Sequence, residues 1–205
     1  MTSSEQPSEP TYAERVFRSP AGIAGGVLLL ALGAWFGIDA VVRGHGRTPW
    51  LALAGLLFAV PLVVAFTMRP AVFAGDDRLR IRNPFRTIVL PWASVSDVRA
   101  GYSSEVFTEG GTKYQLWAVP VSLRKRKRAM RRPPSRRRGS PAADLTEAPP
   151  HTPDADHAVA ELRTQAERCA PRPTAQGEPR VRWAYEILAP TLAGLLVLVI
   201  LLATG

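Results

Sequence analysis

The chain has 205 residues, 46% of them hydrophobic, and a formal net charge of +9. Its single cysteine excludes an intrachain disulfide and any metal site built from several thiolates. The mean hydropathy is about zero, but this average conceals three apolar blocks within an arginine-rich remainder, which is not the apolar distribution of one soluble domain.

The three apolar blocks predict membrane-spanning helices. Each is at least 18 residues long, and at about 1.5 Å per residue such a helix approaches or exceeds the hydrocarbon core of about 30 Å. The first two predict a transmembrane hairpin over residues 21–68, kinked at Pro61, and the last predicts a span over residues 186–204. The blocks themselves are residues 21–42, 50–68 and 187–204.

The distribution of Lys and Arg predicts the orientation of the spans. The connection between the first two blocks holds 2 of the 26 basic residues, whereas residues 69–182 hold 22 and the tail of residues 1–20 holds 2. Positive charge favours the cytoplasmic side, so we expect a multi-pass protein of the cell (plasma) membrane with a cytoplasmic module and an extracytoplasmic C-terminus. The tail is expected to be disordered, and its glutamates argue against a cleaved signal peptide.

Residues 70–123 predict short antiparallel strands. Residues 79–82 alternate apolar and charged side chains, Asn83-Pro84 interrupts them, and residues 87–90 resume the apolar pattern, which together indicate a hairpin. After a turn at residues 109–112, a longer strand is expected over residues 113–121. Its buried face is predicted to carry Tyr114, Leu116 and Ala118.

A change of composition follows these strands. Residues 124–151 are basic and Pro-rich and predict a flexible insert. A helix is then expected over residues 152–170, with Thr152 as N-cap and Pro153 at its first position. A linker is expected over residues 171–185. The helix should cover the sheet with an apolar stripe at helical spacing, namely Val159, Leu162, Ala166 and Cys169.

Three segments resemble the bacterial pleckstrin-homology-like (PH-like) family related to low-molecular-weight protein antigen 6. They are residues 79–86, 90–95 and 117–121. The resemblance implies a small bacterial membrane protein with a bent antiparallel sheet closed by a C-terminal helix, and it supplies no catalytic residues. The predicted fold class is therefore membrane α-helical spans plus an α+β module, a PH-like antiparallel β-sheet or half-barrel capped by a C-terminal helix. The basic insert departs from the family pattern.

No constellation of side chains predicts an enzyme or a cofactor. His45, His151 and His157 fall in separate segments and give no catalytic or metal-ligand spacing. Asp39 is the one acidic residue within a predicted span. Its i,i+4 spacing from Arg43 in the sequence favours a simple ion pair over a role in proton or ion transport. We therefore expect no catalytic residue, no metal site and no cofactor.

The basic run within residues 124–138 is the candidate site. Basic residues beside the negatively charged cytoplasmic leaflet predict contact with anionic phospholipid headgroups, although the same charges could serve only to fix the orientation. Nucleic acid is not an expected partner, because aromatic residues do not interleave the run. The predicted contact residues are Arg124, Lys125, Arg126, Lys127, Arg128, Arg131, Arg132, Arg136, Arg137 and Arg138.

Two functions from different classes fit these features. The first is a non-catalytic membrane protein whose PH-like module mediates interaction with anionic lipid or an unknown protein partner at the inner leaflet. The alternative is an accessory subunit of a transporter or channel complex that acts through its spans. Gly22, Gly26 and Gly33 favour close helix contact, which could be internal packing or association with another chain.

Overall fold

A computed structural model of the chain describes residues 15–100, 103–119 and 155–204. The insert of residues 124–151 and the expected helix start at Thr152 and Pro153 lie outside the described residues. The described α-helices are α1 (Pro20–Arg43), α2 (Thr48–Val63), α3 (Ala155–Cys169) and α4 (Tyr185–Ala203). The described strands are β1 (Arg15–Phe17), β2 (Ala71–Ala74), β3 (Arg78–Arg82), β4 (Arg86–Pro91), β5 (Val95–Ala100), β6 (Ser104–Thr108), β7 (Lys113–Gln115) and β8 (Arg180–Trp183).

Three of these helices are long and apolar enough to cross a membrane, by length and composition. They are α1, α4, and α2 together with a π-helical turn at Val64–Met68. Ser19 caps α1 by accepting a 3.2 Å hydrogen bond from the Gly22 amide. The π-helical turn begins three residues after Pro61, which lies inside α2.

Glycines allow α1 and α4 to approach α2 closely. A Cβ atom added to Gly194 of α4 would collide with the backbone of Leu57 and Phe58 in α2. A Cβ atom added to Gly26 of α1 would collide with the Thr67 side chain in the π-helical turn, and one added to Gly22 would lie in ordinary contact, 3.5 Å from the Thr67 carbonyl oxygen. Of the three glycines that the sequence analysis named, Gly26 therefore serves close internal packing of the helices, whereas a Cβ atom on Gly33 would come no nearer than 4.0 Å to Leu56.

The strands form two antiparallel sheets, one of order β1-β2-β3-β4-β8 and one of order β5-β6-β7. The predicted hairpin is confirmed as β3 and β4, with Leu79 opposite Leu90 and Ile81 opposite Ile88. The turn closes where the Asn83 amide donates a 2.9 Å hydrogen bond to the Arg86 carbonyl.

One hydrophobic core lies between the two sheets and α3. Trp92 is fully buried in it, and its indole Nε1 donates a 2.9 Å hydrogen bond to the Gly75 carbonyl. The apolar stripe of α3 points into this core, and Leu162 is fully buried. Apolar helices, antiparallel sheets and a covering helix confirm the predicted fold class.

The strand expected over residues 113–121 is shorter than predicted, because β7 ends at Gln115. The Leu116 amide still bonds to the Ser104 carbonyl at 2.8 Å, but the Val119 amide turns back to the Leu116 carbonyl at 3.2 Å. Tyr114, Leu116 and Ala118 are nevertheless buried as predicted. Side chains from β7 and from the turn that follows it therefore both pack in the core.

Two strands lie where the sequence predicted none. Residues 15–17 of the tail that was expected to be disordered form β1, with Arg15 opposite Ala74. The expected linker contains β8, with Trp183 opposite Arg86. Each strand has only three or four residues and pairs with a segment distant in the sequence, so local alternation could not reveal it.

Candidate functional site

All three apolar helices leave one end of the five-stranded sheet. β1 ends two residues before the Ser19 cap of α1, β2 begins at Ala71 directly after α2 and its π-helical turn, and β8 ends at Trp183, two residues before α4. The antiparallel register places these three points together. Phe17 pairs with Val72, and the neighbouring Ala71 lies in one cross-strand row with Arg82 of β3, Thr87 of β4 and Arg182 of β8. We call this the helix end of the sheet.

Arg69 connects the helix end to α4 and to the β3–β4 turn. Its Nη1 donates a 2.8 Å hydrogen bond to Glu186 Oε1, its Nε a 3.2 Å bond to the Asn83 carbonyl, and its Nη2 a 3.3 Å bond to Thr87 Oγ1. Only 16% of the Arg69 side chain is exposed. The Phe85 carbonyl also accepts a 2.8 Å bond from the Ala184 amide. The sheet and the helices are therefore joined by several directional contacts.

Aromatic side chains surround the same joint. The Phe66 ring, in the π-helical turn, lies edge-on to the rings of Phe85 and Trp117, with centroids 5.3 and 5.7 Å away. Trp117, Trp183 and Tyr185 are exposed, as are the aromatic residues that sit at membrane–water interfaces. The turn after β7 thus lies beside the end of the second apolar helix.

The face of the five-stranded sheet that points away from the core is basic. Leu79 and Ile81 of β3 point into the core, so the alternate residues Arg78, Arg80 and Arg82 point outward. Arg80 lies in the same cross-strand row as Arg180, with Val89 between them, and Arg82 in the same row as Arg182, with Thr87 between them. Directly paired residues share a face of the sheet, so the arginines of β3 and β8 named here all lie on the outward face.

Three guanidinium groups converge on Phe73 of β2. The Cζ atoms of Arg80, Arg82 and Arg18 lie over its ring at 4.4, 5.1 and 5.8 Å from the centroid. Phe73 points away from the core, yet only 8% of it is exposed. We call Arg18, Phe73, Arg80 and Arg82 the Phe73 cluster; its contacts are cation–π interactions.

The sequence-predicted contact residues within 124–138 lie outside the described residues. The sequence does not identify the Phe73 cluster as a site, although the alternation of residues 79–82 predicts the hairpin that carries two of its arginines. Recognising it required the register of β2 against β3 and the position of Arg18 next to β1. Arg43 pairs with Asp39 at 3.1 Å, the ion pair that the sequence favoured.

On the opposite side of the core, Asp97 links β5 to α3. Arg99 donates a 2.5 Å hydrogen bond to its Oδ2, the Val98 amide donates a 2.7 Å bond to its Oδ1, and Arg163 lies 3.3 Å from the same Oδ1. These groups, Arg99 foremost, hold the pKa of Asp97 below its ordinary value.

Within the described residues, no group of three or more His, Cys, Asp or Glu is placed to hold a metal ion.

Comparison with protein families gives a match to part of the chain. Residues 69–148 match the family described as bacterial PH domain. Neither the curated proteins nor the solved structures contain a match to the chain. The matched region begins at Arg69 and includes β2 to β7, whereas β1, α3 and β8 lie outside it. The chain therefore carries a domain of the bacterial PH-like family, as its sequence predicted.

Proposed function

We propose that this chain is a non-catalytic, multi-pass protein of the cell membrane whose PH-like module mediates interaction with anionic lipid or a protein partner at the inner leaflet. One observation carries the proposal: the three apolar helices all join one end of the five-stranded sheet. A domain attached in this way stands directly on one membrane surface.

The distribution of charge supports a cytoplasmic position for the module. The pairing of β1 with β2 puts the end of the N-terminal tail on the same side as the domain. That side therefore receives 24 of the 26 basic residues, and the α1–α2 connection receives 2. This asymmetry favours the cytoplasm for the module and the extracytoplasmic side for the C-terminus.

We propose that the basic run of residues 124–138 contacts the headgroups, because the described chain before it ends beside an apolar helix. The Trp117 ring lies 5.7 Å from the Phe66 ring at the end of the second apolar helix. Arg124 follows Val119 by five residues, which span at most about 18 Å when fully extended. A run so rich in Lys and Arg is attracted to the anionic leaflet, and we propose that it acts as a mobile polycation without a fixed binding geometry.

The proposal is tested on the full chain in vesicles of equal amounts of phosphatidylglycerol and phosphatidylcholine. The protein is extracted in mild detergent, and the ratio of the two retained lipids is measured. We expect enrichment of phosphatidylglycerol that falls as salt rises from about 0.05 to about 0.5 M, because salt screens such attraction.

Two variants separate charge from sequence. Replacing the ten basic residues of the run by Gln should remove most of the enrichment, whereas reordering residues 124–138 at constant composition should preserve it. Full enrichment in the Gln variant would contradict lipid contact by the run, and loss in the reordered variant would contradict a mobile polycation. Proteins that co-purify with the chain from native membranes would identify a partner.

A further inference from the structure

We propose that β8 binds an extended segment of a protein partner as an added β-strand, and that acidic and apolar side chains alternate in this segment. The inference rests on the proposed function and names the kind of protein partner that the module would take at the inner leaflet. β8 is the last strand of the five-stranded sheet, and all four of its residues are exposed. We call the side of β8 that does not pair with β4 its free edge.

The hydrogen-bond register directs part of the β8 main chain to the free edge. The Ala184 amide donates a 2.8 Å hydrogen bond to the Phe85 carbonyl, and these two residues continue the register of β4 with β8. Hydrogen-bonded and non-hydrogen-bonded pairs alternate along an antiparallel ladder. The amide and carbonyl groups of Val181 and Trp183 therefore point away from β4, where an added strand would meet them.

Side chains from elsewhere in the module meet the strands of the second sheet. Arg163 Nη2 donates a 2.6 Å hydrogen bond to the Val98 carbonyl of β5, and Asn83 Nδ2 donates a 2.9 Å bond to the Gln115 carbonyl of β7. Across the described part of the chain, β8 receives no such side-chain hydrogen bond on its main chain. Its outward amides and carbonyls are therefore the ones that suit strand addition.

The side chains of β8 indicate the sequence that would pair with it. Val181 lies opposite the buried Ile88 and hence on the core side of the sheet, yet 42% of it is exposed. Trp183 lies on the same side, and Arg180 and Arg182 lie on the outward face. Neighbours on adjacent strands share a face. The added strand should therefore place apolar side chains beside Val181 and Trp183. Its carboxylates should lie beside Arg180 and Arg182.

A cleft of about 370 Å³ opens beside the start of β8. It gives an added strand room to continue away from the helix end. Glu109 of the β6–β7 turn also lines this cleft, so the acidic residues of the segment belong beside β8 and not in the cleft. The cleft lies between the second sheet and the residues that lead into β8, and its lining includes Thr112, Tyr114, Gln176, Gly177 and Pro179.

Attachment to the membrane argues against a second copy of β8 as the occupant. β8 ends two residues before α4, and under the proposed function all copies in one bilayer have the same orientation. Their β8 strands then run in the same direction, whereas two identical edges related by a twofold axis across the strands pair antiparallel. Such a pair would require one copy to be inverted in the bilayer. A separate extended segment has no such restriction.

Peptide binding to the full chain tests the charge preference. The chain is placed in nanodiscs of phosphatidylcholine, and fluorescence anisotropy measures binding of a labelled peptide of about eight residues, which spans the edge and the cleft. A peptide of alternating Glu and Val should bind at least about tenfold more tightly than one of alternating Lys and Val, because opposite charges across an interface favour pairing. Replacing Arg180 and Arg182 together by Gln should remove most of this preference. Equal binding of the two peptides to the parent, or no binding of the Glu–Val peptide, would overturn the proposal.

A proline at position 181 tests pairing through the main chain. Val181→Pro removes an amide that points to the free edge and leaves the bonds to β4 in place, so it should weaken binding of the Glu–Val peptide about tenfold or more. Val181→Thr keeps both the amide and the branched side chain, and its binding should stay near that of the parent. N-methylation of alternate peptide amides removes donors of the added strand without altering the protein and should also weaken binding. Undiminished binding of the N-methylated peptide, or of the parent peptide to a Val181→Pro variant with the melting temperature of the parent, would contradict strand addition.

The remaining outcomes identify other occupants and separate this proposal from the proposed function. A dimer in nanodiscs that Val181→Pro converts to a monomer would assign the edge to a second copy. Peptide binding that requires removal of residues 1–14 would assign it to that tail, and either result overturns a separate partner. Val181→Pro should leave the phosphatidylglycerol enrichment of the full chain unchanged. Failure of peptide binding with retained enrichment would reject strand addition and leave the proposed function standing, whereas peptide binding without enrichment would reject only the contact of the run with lipid.

Discussion

Arg69 and Glu186 form a 2.8 Å ion pair that joins the end of the second apolar helix to the first turn of α4, across 117 positions of sequence. The Glu186 side chain is 63% exposed, so the pair alone contributes little. Arg69 also donates hydrogen bonds to two oxygen atoms of the β3–β4 hairpin. The joint therefore depends more on the arginine than on its acidic partner.

Substitutions at this joint should differ in cost. Glu186→Gln should lower the free energy of unfolding by less than about 1 kcal/mol, because an exposed ion pair is weak. Arg69→Ala should cost about 1–3 kcal/mol, since the Asn83 carbonyl and Thr87 Oγ1 lose a charged donor. Thermal unfolding of the full chain in detergent measures both. Equal costs for the two variants would contradict a role for Arg69 beyond the ion pair.

Docking of α3 on the sheets predicts a large effect at Leu162, which is fully buried. Leu162→Ala should destabilise the module by about 2–5 kcal/mol through lost burial and a residual cavity. Thr164→Ala, at an exposed position of the same helix, is the matched control. Thermal melts of the two variants should differ clearly, and a Leu162→Ala melt equal to that of the control would mean that α3 does not rest on the core.

Close packing of α4 on α2 predicts that Gly194 tolerates no side chain. A Cβ atom there would meet the backbone at Leu57 and Phe58, so Gly194→Ala should cost about 1–3 kcal/mol by forcing the helices apart. Gly55→Ala in α2, where nothing lies within 4 Å of an added Cβ, should be nearly neutral. Melting in detergent compares them, and a neutral Gly194→Ala would show that the two helices pack less closely.

Local periodicity explains which elements the sequence could predict. The β3–β4 hairpin and the α3 stripe repeat at periods of two and 3.6 residues, and the structure confirms both. β1 and β8 carry too few residues for a period, and each is held by pairing with a distant strand. Long-range pairing of this kind leaves no local signal.

The candidate site residues also differ in whether the sequence alone reveals them. The run of residues 124–138 is visible as composition, and its contact with lipid stays a prediction. The Phe73 cluster consists of single arginines on β3 and next to β1 that look ordinary in the sequence. Only the pairing of β1 with β2 and of β2 with β3 brings Arg18 and Arg82 to one ring.

The lowered pKa of Asp97 predicts a pH-dependent contribution to stability. Its carboxylate is stabilised chiefly by the hydrogen bond from Arg99, and further by the Val98 amide and Arg163. The folded pKa is below the ordinary value of 3.8, so this contribution is fully present above that value and is lost as the pH falls through the folded pKa. Asp97→Asn should therefore melt earlier than the parent at neutral pH, and the two melting curves should converge in acid. A difference independent of pH would show that the charge of Asp97 is not responsible.

The arrangement of three apolar helices on one end of the sheet predicts which positions are accessible from outside the cell. The test uses single cysteines at His45, Ser103 and Thr204 in a Cys169→Ala background, labelled in intact cells with a membrane-impermeant maleimide. His45 lies in the α1–α2 connection, Ser103 in the module and Thr204 at the far end of α4. Because Lys and Arg are concentrated on the module side, the cysteines at 45 and 204 should react, and that at 103 should react only after permeabilisation. Reaction at 103 with protection at 45 and 204 would invert the orientation, whereas reaction at both 45 and 103 in intact cells would show that α2 does not cross the membrane.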